Sequence, residues 1–213
     1  MEDNPSTVFV VDDDPAVRDS LHWLVASVNL DVETFASAQA FLDTYRPDRT
    51  GCLLADVRMP GMSGIDLQLE VRRRGFQLPV IIVTGHGDVE MAVRAMKAGA
   101  FDFIQKPFNG QTLLELVQKA VDLSVARSRD AAEQARLLRQ LEQLTRRERQ
   151  VLDHIVAGEP NKTIALHLGR SEKTVEFHRA KVMEKMQARS LAELMRKVMI
   201  AEPDHYEAPP SQG

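Results

Sequence analysis

The chain has 213 residues, enough for one large domain or two small ones, and its charge is unevenly distributed. Residues 1–123 contain 11 basic and 18 acidic side chains, whereas residues 144–200 contain 12 and 7, so an acidic front precedes a basic back. The single cysteine, Cys52, excludes a disulfide framework and a thiolate metal cluster within the chain, and no start or apolar run resembles a leader or a membrane span. A cytoplasmic protein without membrane contact is therefore expected.

Four stretches typical of buried β-strands each end in polar groups. They are 7–11 before Asp12–Asp14, 53–55 before Asp56, 80–83 before Thr84, and 101–105 before Lys106. Strand and helix patterns alternate five times in this part of the chain, which predicts a parallel sheet with right-handed crossovers. Ligands of such sheets gather outside the carboxyl ends of the strands, so these polar groups are expected to share one pocket.

The helices between these strands have recognisable ends. Asp14, Ser37 and Asp88 each precede a helical pattern and are predicted to cap it. Another helix ends in the three arginines 72–74 before a glycine, where basic side chains complement the helix macrodipole. A nucleic-acid patch is the alternative interpretation of these arginines.

The shared pocket would bring several carboxylates together, and carboxylates that close repel each other unless a cation lies among them. A hard divalent ion with oxygen ligands, Mg²⁺, resolves this conflict. The other two groups, Thr84 and Lys106, are donors suited to phosphoryl oxygens. The sequence therefore predicts a site for magnesium and a phosphoryl group.

The segments VVDD, LLADVRMPGMSG, VTGHGD and AMKAGAFDFIQKPF resemble the receiver domain of two-component response regulators, over roughly the first 120 residues. The resemblance implies a flavodoxin-like sheet of five parallel strands in the order 2-1-3-4-5. It also implies that Asp56 is the phosphoacceptor and that Phe103 is the switch aromatic. The remaining implied roles are Mg²⁺ binding by Asp12, Asp13, Asp56 and the backbone carbonyl of Arg58, a switch hydroxyl at Thr84, a phosphate-pairing lysine at Lys106, and a cis peptide at Lys106–Pro107.

Residues 124–143 contain neither proline nor glycine and are expected to form a long helical linker. Leu137, Leu141 and Leu144 form a narrow apolar stripe along it. This stripe could pair with another chain as a short coiled coil, or it could pack on the neighbouring domain. Both alternatives are open at this point.

The basic back of the chain reads as four short helices. Thr145 and Glu148 form a capping box, Asn161 is predicted to cap a short helix that ends at Gly169, and Ser171 opens a longer helix. A second capping box is predicted for Ser190 and Glu193. Two helices joined by a tight glycine turn, the second rich in exposed polar groups, are typical of a helix-turn-helix.

The string TVEFHRAKVMEKMQARSLAEL resembles the output domain of LuxR-type regulators, in the FixJ branch of the NarL/FixJ response regulators. The resemblance implies base contacts from Glu176, Phe177, Arg179 and Ala180, and phosphate or groove-wall contacts from Lys173, Thr174, His178 and Lys181. Glu176 can accept a hydrogen bond from cytosine N4, or it can form an ion pair with Lys173 or Arg179. Phe177 could equally be a core residue, and His178 could be a packing group.

Together the resemblances imply a DNA-binding transcription regulator, not an enzyme. A sensor histidine kinase would phosphorylate Asp56, and phosphorylation would promote homodimerisation and binding to double-stranded DNA, with RNA polymerase as a further partner. The dimer surface would include Met91, Arg94, Ala95 and Ala98. The expected organisation is a receiver at 5–123, a helical linker at 124–143, a LuxR-type helix-turn-helix domain at 144–200 and a flexible tail at 201–213.

Two alternatives belong to other functional classes. An aspartate-nucleophile phosphatase uses a similar set of groups, but it needs a hydroxylated or β-branched residue four positions after its nucleophile. After Asp12 that position is Ala16. The other alternative is a DNA-binding protein whose receiver is never phosphorylated and serves only for dimerisation.

Overall fold

The computed structural model describes residues 6–85 and 89–203. The predicted cap at Asp88 and most of the predicted tail at 201–213 lie outside these residues. The chain divides into two compact units, which we call the first unit (up to Arg129) and the second unit (from Asp130). This division falls inside the predicted linker.

The first unit contains a five-stranded sheet: β1 (Thr7–Val11), β2 (Asp31–Phe35), β3 (Gly51–Asp56), β4 (Val80–Thr84) and β5 (Asp102–Gln105). All neighbouring strands are parallel, and the order β2-β1-β3-β4-β5 confirms the predicted flavodoxin-like arrangement. The register aligns the carboxyl ends of four strands along one edge, through the pairs Val11–Ala55, Asp56–Val83 and Thr84–Gln105. Side chains that follow these ends are therefore neighbours.

Five helices cover the sheet: α1 (Pro15–Ala26), α2 (Ala38–Thr44), α3 (Gly64–Arg73), α4 (Val89–Lys97) and α5 (Gly110–Glu142). The predicted caps of α1 and α2 are confirmed, because Asp14 and Ser37 accept hydrogen bonds from backbone N–H groups of the first turns. At the end of α3, Arg73 and Arg74 form ion pairs with Glu70, which favours the structural interpretation of these arginines.

The sheet separates two layers of apolar core, because alternate side chains of each strand point to opposite faces. On one face Phe9 and Leu53 pack with side chains of α2, α3 and α4: Phe41, Leu67 and Ala95. On the other face Val10 and Leu54 pack with side chains of α1 and α5: Leu21, Val25, Leu113 and Val117.

A close backbone contact fixes the start of β3. Gly51 has a φ of 146°, and a Cβ atom at this position would lie 1.7 Å from the carbonyl oxygen of Thr7. The Gly51 N–H donates a hydrogen bond of 3.1 Å to the buried Ser124 hydroxyl of α5. The helix that leaves the first unit is thus bonded to the strand that ends at Asp56.

The second unit contains α6 (Arg146–Val156), α7 (Asn161–Leu168), α8 (Glu172–Lys185) and α9 (Leu191–Ala201). The capping box of Thr145 and Glu148 is confirmed, and Gly169 ends α7 in the left-handed conformation, with φ 60° and ψ 42°. Ser171 then caps α8, only two residues after Gly169. These features build the predicted helix-turn-helix from α7 and α8.

One predicted cap of the second unit is wrong, and one predicted capping box is only half formed. Asn161 is the first residue of α7, and Pro160 occupies the cap position without a side-chain hydrogen bond. Ser190 accepts from the Glu193 N–H as predicted, but the Glu193 carboxylate accepts from the N–H of Arg189. The second reciprocal bond of a capping box is therefore not made to Ser190.

The 33-residue helix α5 supplies side chains to both units. Its leucines Leu137 and Leu141 are buried in the core of the second unit, together with Leu152, Ile164 and Val182. The apolar stripe of the linker therefore packs on its own chain, as in the second of the two alternatives. None of the helices in the described part of the chain has the length and apolar content of a membrane span.

Candidate functional site

The candidate site lies at the carboxyl edge of the sheet, where the register of the strands brings polar groups together. Asp12 and Asp13 follow β1, Asp56 and Thr84 end β3 and β4, and Lys106 follows β5. Asp12, Asp56 and Thr84 are buried, whereas Asp13 is exposed. A buried carboxylate needs a compensating partner, and here the partner comes from the last strand.

Lys106 lies between the two buried carboxylates. Its ammonium donates to Asp12 Oδ2 at 2.8 Å and to Asp56 Oδ1 at 2.7 Å. Burial alone would lower the pKa of Lys106, but the hydrogen bonds and charges of Asp12 and Asp56 outweigh burial and raise it. The lysine is therefore a cation bonded directly to the Asp56 carboxylate.

The backbone around Asp56 holds its side chain in one orientation. The Arg58 N–H donates to Asp56 Oδ2 at 2.7 Å, so the second carboxylate oxygen is also occupied. Gly64 lets the start of α3 approach closely, because a Cβ atom there would lie 2.3 Å from the Asp56 carbonyl oxygen. The glycine after the strand is thus a steric requirement of this loop.

The residues that begin α1 hold the Asp12 side chain and the backbone of Asp12 and Asp13 in place. The Asp14 N–H donates to Asp12 Oδ1 at 2.9 Å, and one Arg18 nitrogen donates to the carbonyl oxygens of Asp12 and Asp13. Arg18 was not among the predicted site residues. Its spacing of one helical turn after the Asp14 cap was the available signal.

Thr84 ends β4 at this edge, and Phe103 is the second residue of β5. The Thr84 hydroxyl makes a long hydrogen bond of 3.4 Å to the Gly85 carbonyl oxygen, while the Thr84 carbonyl oxygen accepts from the Lys106 N–H. Phe103 is 39% exposed, and the Lys106–Pro107 peptide is cis, as the resemblance implied. Among the described residues, the Thr84 hydroxyl and the Phe103 ring are thus less constrained than Asp12, Asp56 and Lys106.

The residues at this edge fit a divalent cation. The carboxylates of Asp12, Asp13 and Asp56 carry three negative charges and Lys106 carries one positive charge, which leaves a formal charge of −2. All of the predicted ligand atoms are oxygens, which are the ligands that Mg²⁺ prefers. Charge and donor type thus both suit this ion.

The predicted dimer surface needs one correction. Ala95 is fully buried in the core of the first unit, and Met91 and Ala98 pack against that core. Among the described side chains of this region, the exposed large apolar ones are Val93 and Met96 of α4 and Phe103 of β5. The rotational phase of α4 on the sheet decides which of its side chains are exposed.

In the second unit, α8 carries the predicted DNA-binding residues on its solvent side. Val175, Val182 and Met186 are buried. The remaining side chains are exposed or half-buried: Lys173, Thr174, Glu176, Phe177, His178, Arg179, Ala180 and Lys181. Phe177 is 60% exposed, so it is a surface residue and not part of the core.

The predicted DNA-binding residues of α8 differ in whether their side chains are already paired within the helix. In the part of the chain that the structure describes, Glu176 forms no ion pair with Lys173 or Arg179. Lys181 is paired with Glu184 at 2.7 Å, and the Thr174 hydroxyl bonds to Ser171 at 2.9 Å. The intrahelical ion pair of Glu176 is thus not formed here.

His178 lies against a cavity of about 200 Å³ that Arg147, Arg170 and Thr174 also line. Its Nδ1 atom is buried and has no hydrogen-bond partner among the described residues. The two arginines were not among the residues predicted for this surface. Arg147 lies on α6, far from α8 in sequence. Arg170 directly precedes the Ser171 cap of α8, and that proximity was the available signal.

Two family descriptions match the chain. Residues 8–118 match "Response regulator receiver domain", and residues 142–198 match "Bacterial regulatory proteins, luxR family". Among curated proteins, the transcriptional regulatory protein TdiR of Thauera aromatica is 46% identical over 92% of this chain and 86% of its own length. The transcriptional regulatory protein FixJ of Azorhizobium caulinodans is 47% identical over 91% of this chain and 92% of its own length.

Two solved structures of response regulators are also similar to this chain over most of its length. The response regulator StyR is 45% identical with a TM-score of 0.84, covering 91% of this chain and 98% of StyR. Full-length FixJ from B. japonicum is 41% identical with a TM-score of 0.56, covering 93% of this chain and 98% of FixJ.

The sheet edge and the helix-turn-helix, with these relatives, define a DNA-binding regulator that is controlled by a receiver. The chain belongs to the NarL/FixJ family of two-component response regulators, with an N-terminal receiver and a C-terminal LuxR-type domain. It is a transcription regulator switched by phosphorylation. The family is one of transcription regulators rather than enzymes, which overturns the phosphatase alternative.

Proposed function

We propose that Asp56 is the residue that accepts the phosphoryl group, from a sensor histidine kinase. The observation that carries this proposal is the shared lysine: Asp56 ends a buried strand, and its carboxylate is bonded to the same ammonium as Asp12. In the transfer, a carboxylate oxygen of Asp56 attacks the phosphorus of a phosphohistidine, and the P–N bond to the imidazole breaks. The product is an acyl phosphate on Asp56.

We infer that Asp12, Asp13, Asp56 and the carbonyl oxygen of Arg58 hold Mg²⁺. When bound, this ion supplies positive charge that offsets the charge of the phosphoryl oxygens. The formal charge of −2 at the sheet edge and the oxygen-only donor set support this assignment. Lys106 is available to the same phosphoryl oxygens, because its ammonium already lies at the Asp56 carboxylate.

The switch that we propose depends on Thr84 rather than on recruitment of Lys106. Lys106 contacts Asp56 before any phosphoryl group is present, so its contribution changes little in position. Among the described residues, the Thr84 hydroxyl is held only by its 3.4 Å bond to the Gly85 carbonyl oxygen. It can therefore turn towards a phosphoryl oxygen. Phe103 would then turn into the space that Thr84 vacates.

This movement would alter the surface that α4 and β5 form, and we propose that this surface mediates homodimerisation on phosphorylation. Val93, Met96 and Phe103 place exposed apolar area there. A dimer would bring two copies of α8 to half-sites about one helical turn of DNA apart. Phosphorylation of the receiver would then increase DNA binding through dimerisation.

For the DNA complex, we propose base contacts from Glu176, Phe177, Arg179 and Ala180, and backbone contacts from Lys173, Thr174, His178 and Lys181. The exposure of this set and the net charge of +5 on residues 144–200 support it. RNA polymerase is a further proposed partner. Because the target is DNA, we place the protein in the cytoplasm.

We propose the domain bounds 5–123 for the receiver, 124–143 for the linker and 144–200 for the DNA-binding domain. The predicted tail does not begin at residue 201, because Ala201 is the last residue of α9 and is buried in the core of the second unit. The core of the second unit also includes Leu137 and Leu141 from the linker. We also propose that the unphosphorylated receiver, through the linker, hinders DNA binding. Because Leu137 and Leu141 belong to the second core, a test of this inhibition should use a fragment that begins at residue 130. If the receiver inhibits DNA binding, this fragment will bind DNA more tightly than the unphosphorylated full chain.

The principal test compares the wild type with Asp56→Asn, each with and without beryllofluoride and Mg²⁺. Sedimentation should show a dimer of the wild type only with the phosphoryl mimic, and affinity for a selected DNA duplex should rise at least about tenfold. Asp56→Asn should show neither change. A wild type that dimerises equally well without the mimic would instead support the receiver as a constitutive dimerisation module.

Base recognition by α8 has its own matched test. Selection from a random duplex pool should give Glu176→Gln an altered preference at one base pair, because glutamate accepts from cytosine N4 and glutamine also donates. Lys173→Gln should weaken binding to all sequences about equally and reduce the salt dependence. Unchanged sequence preference in Glu176→Gln would refute the base contact.

A further inference from the structure

Three side chains from separate segments of the second unit converge outside the set proposed for DNA binding. His154 lies in the last turn of α6, Glu159 in the loop after it, and His167 in the last turn of α7. Glu159 Oε2 lies 3.0 Å from His154 Nδ1 and 3.1 Å from His167 Nδ1. All three ligand atoms lie within 4.8 Å of one another.

We propose that His154, Glu159 and His167 form a binding site for Zn²⁺. Tetrahedral Zn²⁺ has bonds of about 2.0–2.1 Å to imidazole nitrogen and carboxylate oxygen, so neighbouring ligand atoms are separated by about 3.3 Å. The two measured separations from Glu159 are within about 0.3 Å of this value. The two imidazole nitrogens lie within 4.8 Å of each other, so rotation of the more exposed His167 side chain would bring all three ligands to one ion.

The chemistry of the three groups selects the class of ion. Two neutral imidazoles and one carboxylate suit zinc and similar transition metals, whereas Mg²⁺ prefers oxygen ligands only. With Zn²⁺ the three groups give a net charge of +1, so the carboxylate compensates part of the charge of the ion. The metal would replace the protons that the imidazoles can otherwise share with Glu159.

Solvent access allows the ion to enter and leaves a fourth ligand position open. The His154 and Glu159 side chains are about one-quarter exposed, and that of His167 is 53% exposed. A water molecule can therefore complete the tetrahedron. The site is partly enclosed on the α6 side and open on the α7 side.

The position of the site determines what the ion would stabilise. Its ligands connect the ends of α6 and α7 across a loop in which Gly158 has a φ of 76° and the Glu159 N–H donates to the His154 carbonyl oxygen. The metal would thus fix the α6–α7 connection, and α7 packs on α8. None of the three ligands belongs to α8, so metal binding can be measured separately from contacts to DNA.

The test is a titration of the full-length protein with Co²⁺, a spectroscopic substitute for Zn²⁺, in excess Mg²⁺ to occupy the oxygen-rich receiver site. The wild type should develop the visible absorption of tetrahedral Co²⁺ at one equivalent, and Zn²⁺ should remove it. Glu159→Gln and His167→Ala should each weaken binding at least about tenfold. His22→Ala, which removes a histidine of α1, is the matched control and should bind like the wild type.

Hydrogen exchange provides a second readout. Zn²⁺ should slow amide exchange in residues 154–167 of the wild type, and this protection should be lost in Glu159→Gln. Circular dichroism of each variant without metal will establish that it is folded. Absence of saturable absorption in the wild type, or equal binding by the wild type and Glu159→Gln, would show that the three residues form a hydrogen-bonded cluster only and would overturn the proposal.

Discussion

Replacement of Leu137 by alanine tests whether the end of the linker helix is part of the second unit. Leu137 has no exposed surface, whereas its neighbour Leu138 is 36% exposed. Truncation of a buried leucine costs about 2–5 kcal/mol, while surface substitutions usually change stability by about 0.5 kcal/mol or less. Alanine is a better helix former than leucine, so a change in helix propensity cannot account for a loss of stability.

Hydrogen exchange monitored by mass spectrometry can measure both units in one experiment. Leu137→Ala should accelerate exchange of the buried amides around Val182 by at least about 30-fold, since about 1.4 kcal/mol corresponds to a factor of ten. Exchange in β1 and β3 should not change. Leu138→Ala is the control and should leave both regions as in the wild type. Equal effects of the two substitutions, or acceleration in the first unit instead, would refute the packing argument.

Three further predictions concern single residues. Lys106→Met should increase Mg²⁺ affinity severalfold, because the formal charge at the sheet edge becomes more negative. The same substitution should abolish the response to beryllofluoride, and titrations followed by thermal melting will measure both effects. Burial would raise the pKa of Glu148, but hydrogen bonds to its carboxylate, above all from Lys185, outweigh burial and lower the pKa from 4.5. The ionised Glu148 carboxylate therefore stabilises the folded second unit above pH 4.5. This stabilisation should disappear as the pH falls through the lowered pKa, and Glu148→Gln should remove that pH dependence from urea unfolding curves. Gly51→Ala should unfold the first unit, because the new Cβ would collide with the Thr7 carbonyl oxygen, and rapid exchange throughout the sheet would reveal it.

Much of the fold was predictable because its signals are local. Apolar runs that end in acids located the strands, and Asp14, Ser37 and Thr145 are caps of the predicted kind. The errors at the Asn161 cap and the Ser190 capping box have a local cause as well. Residue type suggested both, but a cap depends on backbone geometry, and a capping box depends on which N–H the neighbouring carboxylate reaches.

The polar groups of the sheet edge could be assigned to one pocket from the order of the strands, but their contacts could not be predicted. Sequence gives no indication that Lys106 already bridges Asp12 and Asp56, because that depends on the conformation of a long side chain in a buried space. The cluster of His154 and His167 with Glu159 was also missed, since its members are separated by a loop and have no helical spacing.

The hydroxyl of Ser124 has a consequence for how this receiver can be combined with other output modules. The match to the receiver family ends at residue 118, yet the Gly51 N–H depends on an acceptor six residues further along the helix. A chimera joined before Ser124 would leave that buried donor unsatisfied unless the foreign helix supplied an oxygen there, at a cost of about 1–3 kcal/mol. The exchangeable module is therefore longer than the conserved domain that defines it.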